Sequence, residues 1–226
     1  MKYAHRKDNP RARRGRRDFS GYAHPDKAPR TTGPDDRRSK LGPPAGVFVN
    51  VPYQKTKERF VLALLVLVTA REWELLLAAE YTGSDYRLAR IRSLIQRSNL
   101  DIHEMSPPVR RLNMALELGM SLEAKWERPG QVIVFSTRRL DQQASDLQGI
   151  DPSFYDGSGE MAILRLWAKL NKPLPVAALH RIFRKVMRAR LPLKRDHRVQ
   201  TIFDHAVWVE LVSLAKGLVA AERKKR

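Results

Sequence analysis

The order of apolar and polar residues along the chain predicts strands and helices in alternation. Val47–Val51 is a short β-branched run before Pro52, and it predicts a strand that ends there because proline cannot donate to a sheet ladder. Lys57–Ala70 predicts a helix whose apolar face is too broad for a surface position. Segments of the same two kinds then follow in turn: strands at Trp73–Ala79, Leu100–Met105 and Val132–Phe135, and helices from Tyr86 onward, at Arg111–Trp126 and at about 138–147.

This alternation predicts an α/β fold of the flavodoxin/Rossmann-like type, a parallel sheet with helices on both faces. The connections are long enough for right-handed crossovers. A weak edge strand near 150–155 and a helix at Glu160–Leu170 complete the domain, before Asn171-Lys172-Pro173 breaks the chain. The sequence therefore predicts an α/β domain over residues 45–171.

The two ends of the chain differ from this domain. Residues 1–44 contain almost no large aliphatic side chains and predict a disordered arm, because such a segment buries too little apolar surface to offset its ordering entropy. Residues 172–226 predict a helical extension packed on the domain, with amphipathic helices at Val176–Ala189 and Val199–Ala221.

The net charge of +19 is concentrated in the same two ends. Residues 1–44 hold 13 Lys/Arg against 5 Asp/Glu, residues 172–226 hold 14 against 4, and the middle holds 16 against 15. Any attraction to polyanions should therefore reside in the ends, either as transient, nonspecific contact with RNA or DNA or only as solvated, solubilising charge. The side chains for such contact are Arg13, Arg14, Arg16 and Arg17 in the arm and Arg184, Lys185 and Arg188 in the helical extension.

The amino-acid composition and the motifs present exclude several kinds of functional site and of targeting segment. The absence of cysteine excludes disulfides, thiolate metal sites and cysteine nucleophiles, and the six histidines show no metal-ligand spacing. Neither a glycine-rich dinucleotide fingerprint nor a phosphate-cradling Gly-Lys-Ser/Thr loop is present. The longest apolar run, Phe60–Ala70, is too short to cross a bilayer, and the basic N-terminal stretch lacks the apolar core of a signal peptide. We expect a cytoplasmic protein without membrane contact; a homo-oligomer is compatible with the sequence.

The candidate site lies where parallel strands end, because ligands of such sheets bind beyond the carboxyl ends of the strands. Three segments should converge there: Asn50–Tyr53, His103–Ser106 and Arg111–Gly119. Asn113 and Glu117 are four residues apart and share one helix face. A carboxylate near a ribose can act as a nucleophile or stabilise an oxocarbenium ion. Spacing alone favours the simpler interpretation, in which Glu117 only caps a helix or forms a salt bridge and His103 is a core histidine.

These motifs resemble a bacterial group related to TIR-like and nucleoside 2-deoxyribosyltransferase-like domains. Members typically read strand–Pro–Phe, then Ile-His-Asp-Leu-Ser, then Arg-Phe-Asn-Met-x-x-Glu-Leu-Gly. This chain has Val51-Pro52-Tyr53, then Ile102–Ser106 with Glu104 in place of the aspartate, then Arg111–Gly119 with leucine for the phenylalanine. The resemblance spans roughly 47–215.

The resemblance implies a nucleotide- or NAD-directed N-glycosidase. Glu117 would attack or stabilise the anomeric carbon, and Asn113 would orient Glu117 or bind a ribose hydroxyl. No cofactor is required, and NAD or a nucleotide is the implied substrate or ligand. Two alternatives remain open: a non-catalytic nucleotide-sensing or signalling module in stress or phage defence, and a nonspecific nucleic-acid-associated protein. The implied ligand-binding residues are Asn50, Tyr53, Glu80, Arg87, His103, Glu104, Ser106 and Arg111.

Overall fold

The structure is a computed structural model that describes residues 46–78, 87–106, 112–127, 130–137, 152–171 and 173–225. The predicted arm at 1–44 and the predicted helix at about 138–147 lie outside these residues. The strands are β1 (Gly46–Asn50), β2 (Glu74–Leu77), β3 (Ser98–Glu104), β4 (Gln131–Ser136) and β5 (Ser153–Phe154). The helices are α1 (Glu58–Ala70), α2 (Arg87–Arg97), α3 (Leu112–Glu127), α4 (Gly159–Trp167), α5 (Val176–Asp196) and α6 (His205–Arg223), with a 3₁₀ turn at Lys55–Lys57 before α1.

The strands form one parallel sheet in the order β2-β1-β3-β4-β5. This is the flavodoxin-like order, and it confirms the predicted fold class. The connection after β1 leads to β2 on one side of the sheet, and the connection after β3 leads to β4 on the other side. A crevice therefore opens between them, beyond the carboxyl ends of β1 and β3. Asn50 and His103 are paired in register at this switch point.

Side chains alternate between the two faces of the sheet, as the two-residue period of a strand requires. Val47 and Val49 pack in one core with α1, α4, α5 and α6. Phe48, between them, packs in a second core with α2, and Val134 packs with α3 in a third. Helices therefore cover both faces, the four named first on one side and α2 and α3 on the other.

Helix α1 is buried on nearly all sides. Its side chains from Phe60 to Val68 are at most 2% exposed, because α1 packs against β2 and against α4, α5 and α6. This confirms that its apolar face is too broad for a surface helix. Among the described helices, none is both long and apolar enough to cross a membrane.

The prediction that the last helix begins at Val199 is wrong, since α6 begins at His205. The Asp204 carboxylate caps the helix by accepting from the backbone N–H groups of Ala206 (3.0 Å) and Val207 (3.4 Å). The preceding segment is held in a different conformation, because the N–H of Ile202 donates to Glu58 Oε1 at 3.2 Å.

Helix α5 continues past its predicted end at Ala189, through Pro192, to Asp196. Proline removes one helical hydrogen bond and normally bends or ends a helix. Tertiary contacts anchor this last turn, since the buried Lys194 ammonium donates to Glu58 and, at 3.1 Å, to the carbonyl of Gln200. The third strand also differs from prediction, starting at Ser98, directly after α2.

Candidate functional site

Hydrogen bonds of the Asn50 side-chain amide, which we call the amide bridge, connect the switch point of the sheet to α3. Asn50 Nδ2 lies 3.0 Å from His103 Nδ1 and donates to the carbonyl of Met114 at 3.2 Å. Both Asn50 and His103 are buried, and burial lowers the pKa of His103 to about 3, so the imidazole is neutral at physiological pH. The bridge therefore fixes the first turns of α3 against the ends of β1 and β3.

Glu117 lies one turn beyond Met114 on α3 and is 4% exposed. Its Oε1 accepts from Arg87 Nη2 at 3.2 Å, and Arg87 stands at the start of α2 with 57% of its side chain exposed. Burial raises the pKa of Glu117, while the positive charge of Arg87 acts in the opposite direction. Glu117 is thus a desolvated carboxylate whose described partner is a solvated guanidinium.

Glu104 is the centre of a different polar network. Its Oε2 lies 2.8 Å from Lys57 Nζ, and its Oε1 accepts from the Tyr155 hydroxyl at 3.0 Å and from the Ser106 hydroxyl. Ser106 Oγ in turn accepts from the N–H of Thr137 at 2.9 Å. Burial, and then the charge of Glu104, raises the pKa of Tyr155, so its hydroxyl stays a donor. The network ties β3 to the turn before α1 and to the chain after β4 and β5.

The two networks belong to opposite faces of the sheet. Successive side chains of β3 alternate, so His103 faces the side of α2 and α3, where its ring contacts Phe48, while Glu104 faces the side of α1. The sequence predicts one cluster at the carboxyl edge. The structure brings Asn50, His103, Arg87 and Glu117 to the α2–α3 side and assigns Glu104 and Ser106 to the α1 side.

The other predicted residues have varied settings. Tyr53 is half-buried, with its ring centroid 5.0 Å from that of Phe203 in the α5–α6 connection. Asn113 is exposed although Glu117, four residues on, is buried. Glu80, Arg111, Arg13, Arg14, Arg16 and Arg17 lie outside the described residues, and Arg184, Lys185 and Arg188 are exposed on α5.

Sequence reasoning missed Lys57 and Tyr155. Both reach Glu104 from segments far from it in the chain, so no local spacing links them. A weak signal exists for Tyr155, because it directly follows an edge strand and so lies at the carboxyl edge where ligands of parallel sheets bind.

A second buried ionic cluster lies below the carboxyl edge. Asp101 is fully buried in β3, and Lys125 Nζ lies 3.5 Å from its Oδ2. Burial raises the pKa of Asp101, opposed first by the hydrogen bond from Ser98 and then by the charge of Lys125. Lys125 also donates to the carbonyls of Ile95 (3.0 Å) and Ser98 (2.6 Å). The cluster fastens α3 to the junction of α2 and β3.

Two cavities are lined by residues other than those of the polar networks. One of about 850 Å³ is lined by residues at the end of α1, at the start of β2 and along one side of α6, including Trp73, Trp208 and Arg223. Another of about 560 Å³ lies between α2 and α3 and is lined by Leu88 and Leu116, the neighbours of Arg87 and Glu117. Neither is lined by a residue predicted to bind ligand.

Comparison with known proteins adds no family. The family models searched give no match to this chain, and the curated proteins give none either. Within the part of the chain that the structure describes, no three His, Asp or Glu side chains are grouped so that they could hold a metal ion. The carboxyl-edge side chains themselves are therefore the remaining indication of function.

Proposed function

We propose that the protein is an N-glycosidase directed at a nucleotide or at NAD, with Glu117 as its central carboxylate. One observation carries the proposal: Glu117 is 4% exposed, has a raised pKa and lies beside the switch point of a flavodoxin-like sheet. Desolvated carboxylates with perturbed pKa values cluster at functional sites, and sheets of this kind bind ligands at the switch point. The resemblance to deoxyribosyltransferase-like domains supports the same residue.

Cleavage of an N-glycosidic bond mainly requires that the protein hold a negative charge close to the anomeric carbon. When the N-glycosidic bond breaks, its electron pair leaves with the base and the anomeric carbon becomes an oxocarbenium ion. The Glu117 carboxylate stabilises this cation or forms an ester bond with the anomeric carbon. Water then adds to that carbon, which breaks the ester bond where one has formed, and the proton of the water goes to the departed base or to solvent. Because Glu117 is buried, its attraction to the developing cation is screened less than it would be in water.

Arg87 has two roles in this proposal. Its charge lowers the pKa of Glu117 against the effect of burial, which favours the ionised form that the reaction requires. Its side chain is also 57% exposed, so it remains accessible to a phosphate group of the substrate, for which the planar fork of arginine is well suited. Asn50 and His103 act as positioning residues, because they hold α3 through the carbonyl of Met114.

The test is product release from NAD and from a panel of nucleotides, measured by chromatography of the free base. We expect wild type to release base from at least one of these, and Glu117→Gln to reduce the rate at least about a hundredfold, as loss of a single electrostatic stabiliser does. Glu123→Gln, which changes an exposed glutamate of the same helix, is the matched control and should keep the wild-type rate. No turnover across the panel, or equal rates for wild type and Glu117→Gln, would refute the proposal.

A specific contact favours a second candidate, a nucleotide-sensing module that signals through its C-terminal helices. Tyr53, in the loop after β1, packs on Phe203, and Glu58, which begins α1, binds both Lys194 and Ile202. The loop beside the switch point therefore contacts the α5–α6 connection, and the first residue of α1 contacts both that connection and α5. Calorimetry that detects binding of NAD or a nucleotide by wild type, with no base released, supports the sensor, whereas failure to bind any of them excludes it.

A further inference from the structure

One face of α5 carries a line of cations, which we call the basic ridge: Arg181, Arg184, Lys185 and Arg188 on successive turns, and Arg195 two turns further on. All five side chains are exposed. With about 100° of rotation per residue, the five positions fall within an arc of about 100°, and with a rise of about 1.5 Å they extend over about 21 Å. The ridge therefore runs along two-thirds of the helix rather than around it.

The orientation of the ridge is fixed by the opposite face of α5. Leu179, Ile182, Phe183 and Val186 are at most 3% exposed and belong to the core around α1. Lys194 adds a buried ion pair to Glu58 on the same inner side. The helix cannot rotate to bury its cations without exposing these groups, so the ridge is a rigid feature of the surface.

The middle of the ridge forms no ion pair among the described residues. Arg181 pairs with Glu222, and Arg195 Nε lies 3.7 Å from Asp196. Arg184, Lys185 and Arg188, between these two pairs, make no ion pair with any residue that the structure describes. These three cations are therefore free to contact an external polyanion.

We propose that the basic ridge binds the phosphate backbone of duplex nucleic acid without reading its sequence. Four of the five cations are arginine, whose fork contacts phosphate oxygens in pairs. A line of about 21 Å matches about six base-pair steps of about 3.4 Å. An anionic membrane fits less well, because binding to an interface needs an apolar face to insert and that face of α5 is already in the core. This activity is independent of Glu117.

The experiment uses the full chain and a fluorescent duplex DNA of about 20 base pairs, with affinity measured by anisotropy between roughly 50 and 200 mM KCl. The ridge variant is Arg184→Gln/Lys185→Gln/Arg188→Gln. The matched control is Arg92→Gln/Arg165→Gln/Lys216→Gln, which removes two arginines and one lysine from exposed positions on α2, α4 and α6. Both variants lower the net charge from +19 by three, to +16, so they differ only in where the charge is lost.

We expect the ridge variant to bind at least about tenfold more weakly at low salt. Its plot of log affinity against log salt should be shallower by about 2.7, since each phosphate contact contributes about 0.9 to the slope. The control should keep the wild-type slope. Equal losses in the two variants, or an unchanged slope in the ridge variant, would overturn the proposal. Binding to phosphatidylserine vesicles with none to the duplex would overturn it too.

Discussion

Glu58 at the start of α1 and Glu117 on α3 are both nearly inaccessible to solvent, at 0% and 4% exposure, but their surroundings differ. Glu58 faces the Lys194 ammonium at 3.0 and 3.2 Å, and that side chain is itself only 8% exposed. Glu117 faces one guanidinium, Arg87, which is mostly in solvent. A buried carboxylate whose partners are also buried has a structural role, because the ion pair holds the surrounding elements together. A buried carboxylate whose partner is in solvent keeps a desolvation penalty and remains able to interact with a substrate.

The first and largest expected effect concerns Glu58. Glu58→Gln leaves the Lys194 ammonium buried without its counterion, and we expect the free energy of unfolding to fall by about 3–5 kcal/mol. Urea denaturation followed by circular dichroism measures this. Glu160→Gln, which removes the exposed partner of Arg59, is the control and should cost less than about 1 kcal/mol. Similar losses in both variants would contradict the structural role of Glu58.

The second prediction tests whether Glu104 belongs with Glu58 as a structural carboxylate. Tyr155→Phe removes a hydrogen bond to the buried Glu104, and we expect a loss of about 1.5–3 kcal/mol in the free energy of unfolding, the range for hydrogen bonds to charged groups. A double-mutant cycle with Glu104→Gln isolates the pairwise contribution. Zero coupling would show that the two side chains act independently, against the network described above.

The third prediction is an increase in the free energy of unfolding, where the first two are decreases. We expect Glu117→Gln to raise the free energy of unfolding at neutral pH by about 0.5–2 kcal/mol, because stability is commonly gained when a functional site is relieved of its strain. The folded-state pKa of Glu117 lies above its unfolded value, so the wild type loses stability as pH rises through the folded-state pKa. The advantage of the variant should therefore vanish in acid. A destabilised variant at neutral pH would make Glu117 a second structural carboxylate.

The fourth and smallest effect is a shift of the pH dependence. Arg87→Gln removes the charge that lowers the pKa of Glu117, so the pKa should rise and the acid limb of the base-release rate should move to higher pH. Arg90→Gln, one turn further along α2, is the control and should leave the limb in place. An unmoved limb in Arg87→Gln would separate Arg87 from the ionisation of Glu117.

The sequence predicted the elements that depend on local patterns. The apolar runs of β1 and β4 and the helical periodicity of α2 and α3 correspond to the observed elements to within a few residues. Glu117 could be assigned to a helix beside the strand ends because the order of elements in an α/β chain determines where the loops meet. Its burial and its ion pair with Arg87, thirty positions away, depend on tertiary packing, which the spacing of residues does not predict.

Long-range contacts explain where prediction failed. The helix expected from Val199 starts later because Ile202 donates to Glu58, and α5 passes Pro192 because Lys194 reaches the same carboxylate. Glu104 and His103 lie on opposite faces of the sheet because successive side chains of a strand alternate. Their partners, Tyr155 and Asn50, follow or end other strands, so the sequence near Glu104 and His103 does not predict them. Each of these contacts joins residues that are more than fifty positions apart in the chain, so local patterns do not predict it.

The most direct test of the central claim, that Glu117 is the functional carboxylate, is the rate of base release from NAD or a nucleotide by Glu117→Gln beside Glu123→Gln. The samples are first matched for folding by their urea midpoints, with Glu117→Gln at or above wild type. The account predicts that Glu117→Gln loses at least about a hundredfold in rate while Glu123→Gln retains the wild-type rate. A folded Glu117→Gln that releases base as fast as wild type would contradict it.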